Sequence, residues 1–191
     1  MTFEIDWSVN SDGVPISEVS KMTGASQEWI KQTYRRGDLG PAPDVAYQVS
    51  KLPLYHLAAL FVLLAAKEKD VPISQVQEAL PKLAASAFIQ LQLTEISSGR
   101  CIQRPATPSL NIQLWAKLRS PEGRAMLETK LPGGPVSTSR YAGFSAEEVS
   151  YFDNLEDIEG RTGPVIVIDA WSIVAKMKQF LLGTIFNTRI A

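Results

Sequence analysis

The side chains able to do chemistry in this chain are few and scattered. Its single histidine, His56, opens an apolar stretch, and its single cysteine, Cys101, follows a helical one. One His and one Cys supply too few nitrogen and sulfur donors for a metal centre. His56 reads as a core or boundary residue, and Cys101 as a buried thiol rather than a redox sensor. The carboxylates come as Glu147-Glu148, as Glu156-Asp157-Glu159, and as Asp169 after the β-branched run 165–168. The first two groups are neighbours in sequence only and read as solvated surface. Asp169 stands where α/β proteins place chemistry and equally where a helix needs an N-cap. Capping is the reading taken, because Asp is among the preferred capping residues. Gly133-Gly134 lies between prolines with no Lys-Ser/Thr after it, so it is not a phosphate loop. No set of acid, base and nucleophile emerges, and the chain reads as a binding protein rather than an enzyme, with no cofactor and no metal.

What remains is a polar helix face. Residues 16–55 read as two short helices joined by a tight turn, a Pro-bounded extended excursion, and a new helix. Ser17 can cap a helix over 18–22, Gly24 supplies the turn, and Ser26 can cap a second helix over 26–36. Val19, Met22, Trp29, Ile30 and Thr33 fall at spacings that let the two helices share a core. Gly37 sits where a left-handed C-terminal residue belongs. The second helix then offers Gln27, Lys31, Gln32, Arg35 and Arg36 on its polar side, types that reach base edges and phosphates. Arg35 and Arg36 also suit the negative end of the helix dipole. Tyr34, Tyr47 and Tyr55 can reach phosphates or pack beneath the excursion, and Lys51 can join the cationic face.

With Ile16, Val19, Thr23-Gly24-Ala25-Ser26, Ile30, Tyr34-Arg35-Arg36-Gly37 and Leu39, this stretch resembles the DNA-binding head of the mercury-resistance regulator (MerR) family of winged helix-turn-helix proteins. The wing of that family corresponds to Ala46-Tyr47-Gln48, its next helix to a start within 52–60, and its second helix pair to Pro72-Ile73-Ser74-Gln75-Val76. The resemblance covers residues 14–80. Gln48 stands where the family places Arg after the wing Tyr, and Lys31-Gln32-Thr33-Tyr34 replaces its Arg-Tyr-Tyr pattern. The resemblance implies that Ser26, Gln27, Lys31, Gln32, Tyr34, Arg35, Arg36, Tyr47 and Lys51 meet double-stranded DNA. It also implies that a helix after the head pairs with a twofold mate in a homodimer.

Composition sets the bounds. At 191 residues, 45% hydrophobic and 20% charged, the chain is an ordinary globular sequence. The longest apolar run, 57–66, is about ten residues against the roughly 20 that a membrane span needs. With one Cys and no signal-peptide pattern, a cytoplasmic location is expected. Net charge is −1, and residues 1–80 hold seven Lys and Arg against ten Asp and Glu, a net −3. That balance argues for few phosphate contacts per chain and keeps a protein partner in view.

The rest of the chain reads as follows. Phe3, Ile5 and Trp7 alternate as in a short strand. A helix runs over 53–69. Ser74 with Gln77 forms a capping box for a short helix 75–80 that Pro81 stops or kinks. A further helix over 82–98 carries Leu83, Ala87, Leu91 and Thr94 on one stripe, and 99–110 is a linker. Residues 111–131 look helical with a break at 120–123. Strands are expected at 140–144, 149–155 and 164–169, the last a buried one. The final helix, 170–182, has the stripe Trp171, Val174, Ala175, Met177, Lys178 (stem only) and Leu181. The expected architecture is mainly α with a C-terminal α+β part. A winged helix-turn-helix head spans 1–80, a connecting and dimerising helix 81–100, and a small α+β domain 101–191. The function expected is that of a sequence-specific transcriptional regulator whose C-terminal part pairs subunits or binds an effector. The alternative is a protein-interaction module on the same scaffold that does not bind DNA.

Overall fold

The computed structural model describes residues 13–41, 50–97, 119–129, 131, 133–134, 136–158 and 163–184. Tyr47, Gln48, Cys101, the 99–110 linker and the alternating Phe3, Ile5 and Trp7 lie outside the described residues. The architecture is mainly helical, with two small antiparallel sheets. Strand β1 (Val14–Pro15) leads into helices α1 (Ile16–Thr23) and α2 (Gln27–Arg35). Strand β2 (Lys51–Leu52) pairs back on β1 with Val14 opposite Leu52, and leads into α3 (Leu54–Glu68) and α4 (Ile73–Ser97). Then come α5 (Pro121–Glu128), β3 (Tyr141–Phe144), β4 (Val149–Phe152), a 3-10 turn (Leu155–Ile158), β5 (Ile166–Asp169) and α6 (Ala170–Thr184).

Local chemistry explains most helix ends. Ser26 caps α2, its Oγ accepting from the Trp29 N–H at 3.3 Å. Ser120 caps α5 by accepting from the Gly123 N–H at 3.2 Å, with Pro121 at the first helical position. The expected break at 120–123 is therefore a helix start. Helix α1 begins earlier than Ser17 would place it and has no side-chain cap. The β1–β2 pairing substitutes for one: the Ile16 N–H donates to the Ser50 carbonyl at 3.0 Å.

The structure departs from the sequence reading most at Pro81. Residues 73–97 form one helix, not a short helix and a second one. Proline inside a helix removes one hydrogen bond and crowds the preceding turn. Pro81 sits on the exposed side, where water can take the freed carbonyl. Ala79, Leu80, Leu83, Ala84 and Ala85 on either side of it are all buried, and that burial holds the helix together. Helix α4 also starts one residue ahead of Ser74, with Val76 N–H bonded to the Pro72 carbonyl.

One apolar core joins the two ends of the chain, running from Val14, Val19 and Ile30 through α3 and α4 to Phe144, Ile168, Ile173 and Met177. Residues 54–62 of α3 are buried without interruption, as a helix apolar on all sides requires. They are covered by α4 and α6. Residues 83–89 of α4 are buried too, including Ser86 at 3% exposure. The middle of the stretch expected to pair with a twofold mate is thus covered by its own chain.

The C-terminal sheet has the order β4-β3-β5, with Tyr141 opposite both Phe152 and Asp169. Strand β3 is the buried centre and β5 an edge, with Ile166 36% exposed. The β-branched run expected to be a buried strand is therefore half open. Strand β4 ends at Phe152, short of 155, where the 3-10 turn takes over. On α6 the buried residues are Ala170, Ile173, Val174 and Met177, a clean helical stripe, whereas Trp171 and Ala175 face outward.

Candidate nucleic-acid interface

Helix α2 is fixed from behind and open in front. Gly24, at φ 71, ends α1 and lets Ser26 start α2 three residues after Thr23, the last residue of α1. Ser20 Oγ–H donates to the Ala25 carbonyl at 2.7 Å, tying the turn to α1. Val19 of α1 and Ile30 of α2 are both 0% exposed. At the other end Gly37, at φ 77, lets Asp38 N–H bond back to the Thr33 carbonyl at 3.1 Å, a Schellman closure. The position and rotation of α2 on the core are therefore set by both of its ends.

The open side carries most of the residues named from the sequence. Ser26, Gln27, Gln32 and Arg35 are exposed, and Lys31 is half-buried. Gln27, Lys31 and Arg35 are four residues apart and form one row along the helix. Arg36 lies at the edge of this face and is held by Asp38, with Nη2 2.7 Å from Oδ2. Lys51 is exposed on β2.

Tyr34 does not belong to that surface. It is 2% exposed, and its ring meets His56 edge-on with centroids 4.8 Å apart. Burial raises its phenol pKa. Its position one step past Thr33 turns it to the packed side, which the run Tyr34-Arg35-Arg36 does not reveal.

The sequence reading overlooked Glu28. It is exposed on the open side, one turn ahead of Lys31, and its Oε1 accepts from the Gln32 amide at 3.1 Å. One turn of helical geometry applied to 27–35 finds it: Glu28 is three residues from Lys31 and seven from Arg35. The face is therefore a mixed donor and acceptor surface, not a purely cationic one.

His56 secures the chain where it leaves α2. Its Nε2–H donates to the Pro41 carbonyl at 2.9 Å, and Pro41 is the last described residue before 42–49. That bond fixes the neutral tautomer, because a carbonyl only accepts. Nδ1 has no partner among the described residues, and Tyr55 closes the ring from the other side at 5.4 Å. Burial pushes the imidazole pKa down, partly offset by the Pro41 bond.

A second charged cluster lies at the C-terminal sheet. Arg140 meets Asp169 through two nitrogens at 3.1 and 3.2 Å, and its guanidinium lies 4.0 Å from the Trp171 ring centroid. Asp169 also accepts from Trp171 N–H at 2.9 Å and from Ser172 Oγ–H at 3.2 Å. The hydrogen bonds that Arg140 donates to Asp169 raise the guanidinium pKa above its ordinary value. Asp169 is a helix cap and ion-pair partner whose lone pairs are occupied. Glu147 and Glu148 are exposed on the turn between β3 and β4.

Compared with protein-family models, with curated proteins and with solved structures, the chain matches none. Among the described residues no helix is long and apolar enough to cross a membrane.

Proposed function

We propose that this chain binds double-stranded DNA through the open face of α2 and acts as a transcriptional regulator. The observation that carries the reading is the row Gln27, Lys31 and Arg35 on a nine-residue helix anchored at both ends. A helix of that length fits the major groove with its side chains at base edges. Gln pairs with adenine, Arg with guanine, and Glu28 can accept from cytosine. Lys51, with Arg36 at the edge, suits backbone phosphates. The likeness to mercury-resistance regulator heads agrees with this use of α2 and would make Ala46-Tyr47-Gln48 the wing. Two copies would have to pair through a surface other than the buried middle of α4.

The test is selection from a genomic fragment library at two salt concentrations. An enriched sequence is expected, lost in Lys31→Ala/Arg35→Ala while circular dichroism is unchanged. Few cations on the face imply a shallow salt slope, about 0.9 per phosphate neutralised. Retained enrichment in the double variant would sink α2 as the reading surface.

A second reading has its own observation. Glu28 on the open face, with the net −3 of residues 1–80, suits a protein partner. Capture of one stoichiometric protein through α2, with no DNA retained, would favour it.

A further inference from the structure

Behind α2 lies a pocket of about 480 Å³ between that helix, the end of α3 and the first turns of α4. Small-molecule sites typically measure about 300–1,000 Å³. Trp29, Leu63, Val71, Val76 and Leu80 give it an apolar wall. Thr33, also on the wall, is 1% exposed, and its Oγ1 has no hydrogen-bond partner among the described residues. A buried hydroxyl without a partner is a desolvated group that the fold leaves uncompensated.

The charges on the wall are not balanced in use. Asp38 is already held by Arg36. Lys67 has no carboxylate partner among the described residues, and its ammonium lies 5.9 Å from the Trp29 ring centroid. Helix α4 opens at Ile73 on the same wall, with no acidic residue in its first turn. Its first N–H groups have no acceptor within the helix, so this end of the helix is positive. With Arg36 and Asp38 paired, Lys67 and that helix start face Asp70 alone.

We propose that this pocket is a binding site for a small flat organic anion, its ring against Trp29 and the aliphatic wall and its carboxylate or sulfonate between Lys67 and the start of α4. Trp29 and Thr33 lie across the helix axis from Gln27, Lys31 and Arg35, so an occupant bears on the back of α2 and alters how its open face is presented. The binding stands on the pocket alone; its effect on α2 rests on the DNA-binding reading.

The probe is anilinonaphthalene sulfonate, titrated into the full chain without DNA and followed by fluorescence. One probe per chain is expected, displaced by naphthoate and not by naphthylmethylamine. Lys67→Gln should weaken binding about tenfold, the size of a lost hydrogen bond to a charged group. Gln77→Trp, at an exposed position on the pocket wall, should abolish it. Trp171→Ala, in the Arg140–Asp169 cluster, should leave it unchanged. No binding, binding indifferent to the two pocket variants, or preference for the amine overturns the assignment. Repeating the fragment selection with naphthoate present separates the two claims. Altered enrichment supports the coupling, unaltered enrichment overturns it, and probe binding without any DNA retention removes the DNA reading while the pocket stands.

Discussion

Arg35 and Arg140 differ in what the fold does with them. Arg140 gives both arms of its guanidinium to Asp169 and lies 4.0 Å from the Trp171 ring centroid, and Asp169 caps α6 besides. Arg35 is exposed at the end of α2, in a row with Gln27 and Lys31 on the side away from the core. In the first corner the charges hold the sheet to the helix. In the second the helix is held by apolar packing and backbone closures, and Arg35 stays exposed to solvent. A charged residue signals recognition when its element is anchored without it.

That contrast can be broken most severely at Ile30, which is 0% exposed and joins α2 to α1. Ile30→Ala should cost about 2–5 kcal/mol, read as a drop in the denaturant midpoint. It should lower DNA retention only in proportion to the unfolded fraction. Loss of retention in a fully folded variant would mean that α2 is steered by packing and not merely anchored by it.

Asp169→Ala probes the other corner. It removes a helix cap and leaves Arg140 without its partner; a cost of about 1–2 kcal/mol is expected, since the pair is partly exposed. DNA retention should not change. A stability loss under a few tenths of a kcal/mol would show that the cluster is ornamental to the fold and reopen it as a site.

The smallest effect is a pH step. His56 has its folded pKa lowered, so below about pH 6.5 the unfolded chain binds a proton that the folded chain refuses. Stability is therefore full above pH 6.5 and falls as the pH drops from there towards the folded value. Because this is the chain's single histidine, urea midpoints between pH 7.5 and 5.5 isolate it. His56→Gln should flatten the step. A step of equal size in that variant would assign it elsewhere.

How much of this could be read from the sequence depends on the range of the interaction. Ser26, Gly24 and Gly37 act on backbone groups within five residues, and α2 falls where they place it. Asp169 works as the cap its type suggests. Glu28 was equally legible, because helical spacing alone puts it beside Lys31 and Arg35, but attention to cations passed over it. Tyr34 was not legible: an amphipathic residue at a face boundary is assigned by what packs against it, here His56 from α3.

Helix α4 shows the limit most clearly. By itself the sequence determined part of the local punctuation: the caps at Ser26 and Asp169, the left-handed glycines, the strand runs and the polar row on α2. Those depend on backbone sterics and on hydrogen bonds between near neighbours. Only the tertiary structure decided that α4 passes through Pro81, that its middle is sealed by α3, α6 and the sheet, and that β5 is an edge. It also decided that a pocket opens behind α2. Each of these turns on apolar area buried between segments far apart in the chain, a sum that outweighs a local helix breaker and that no short window of sequence contains.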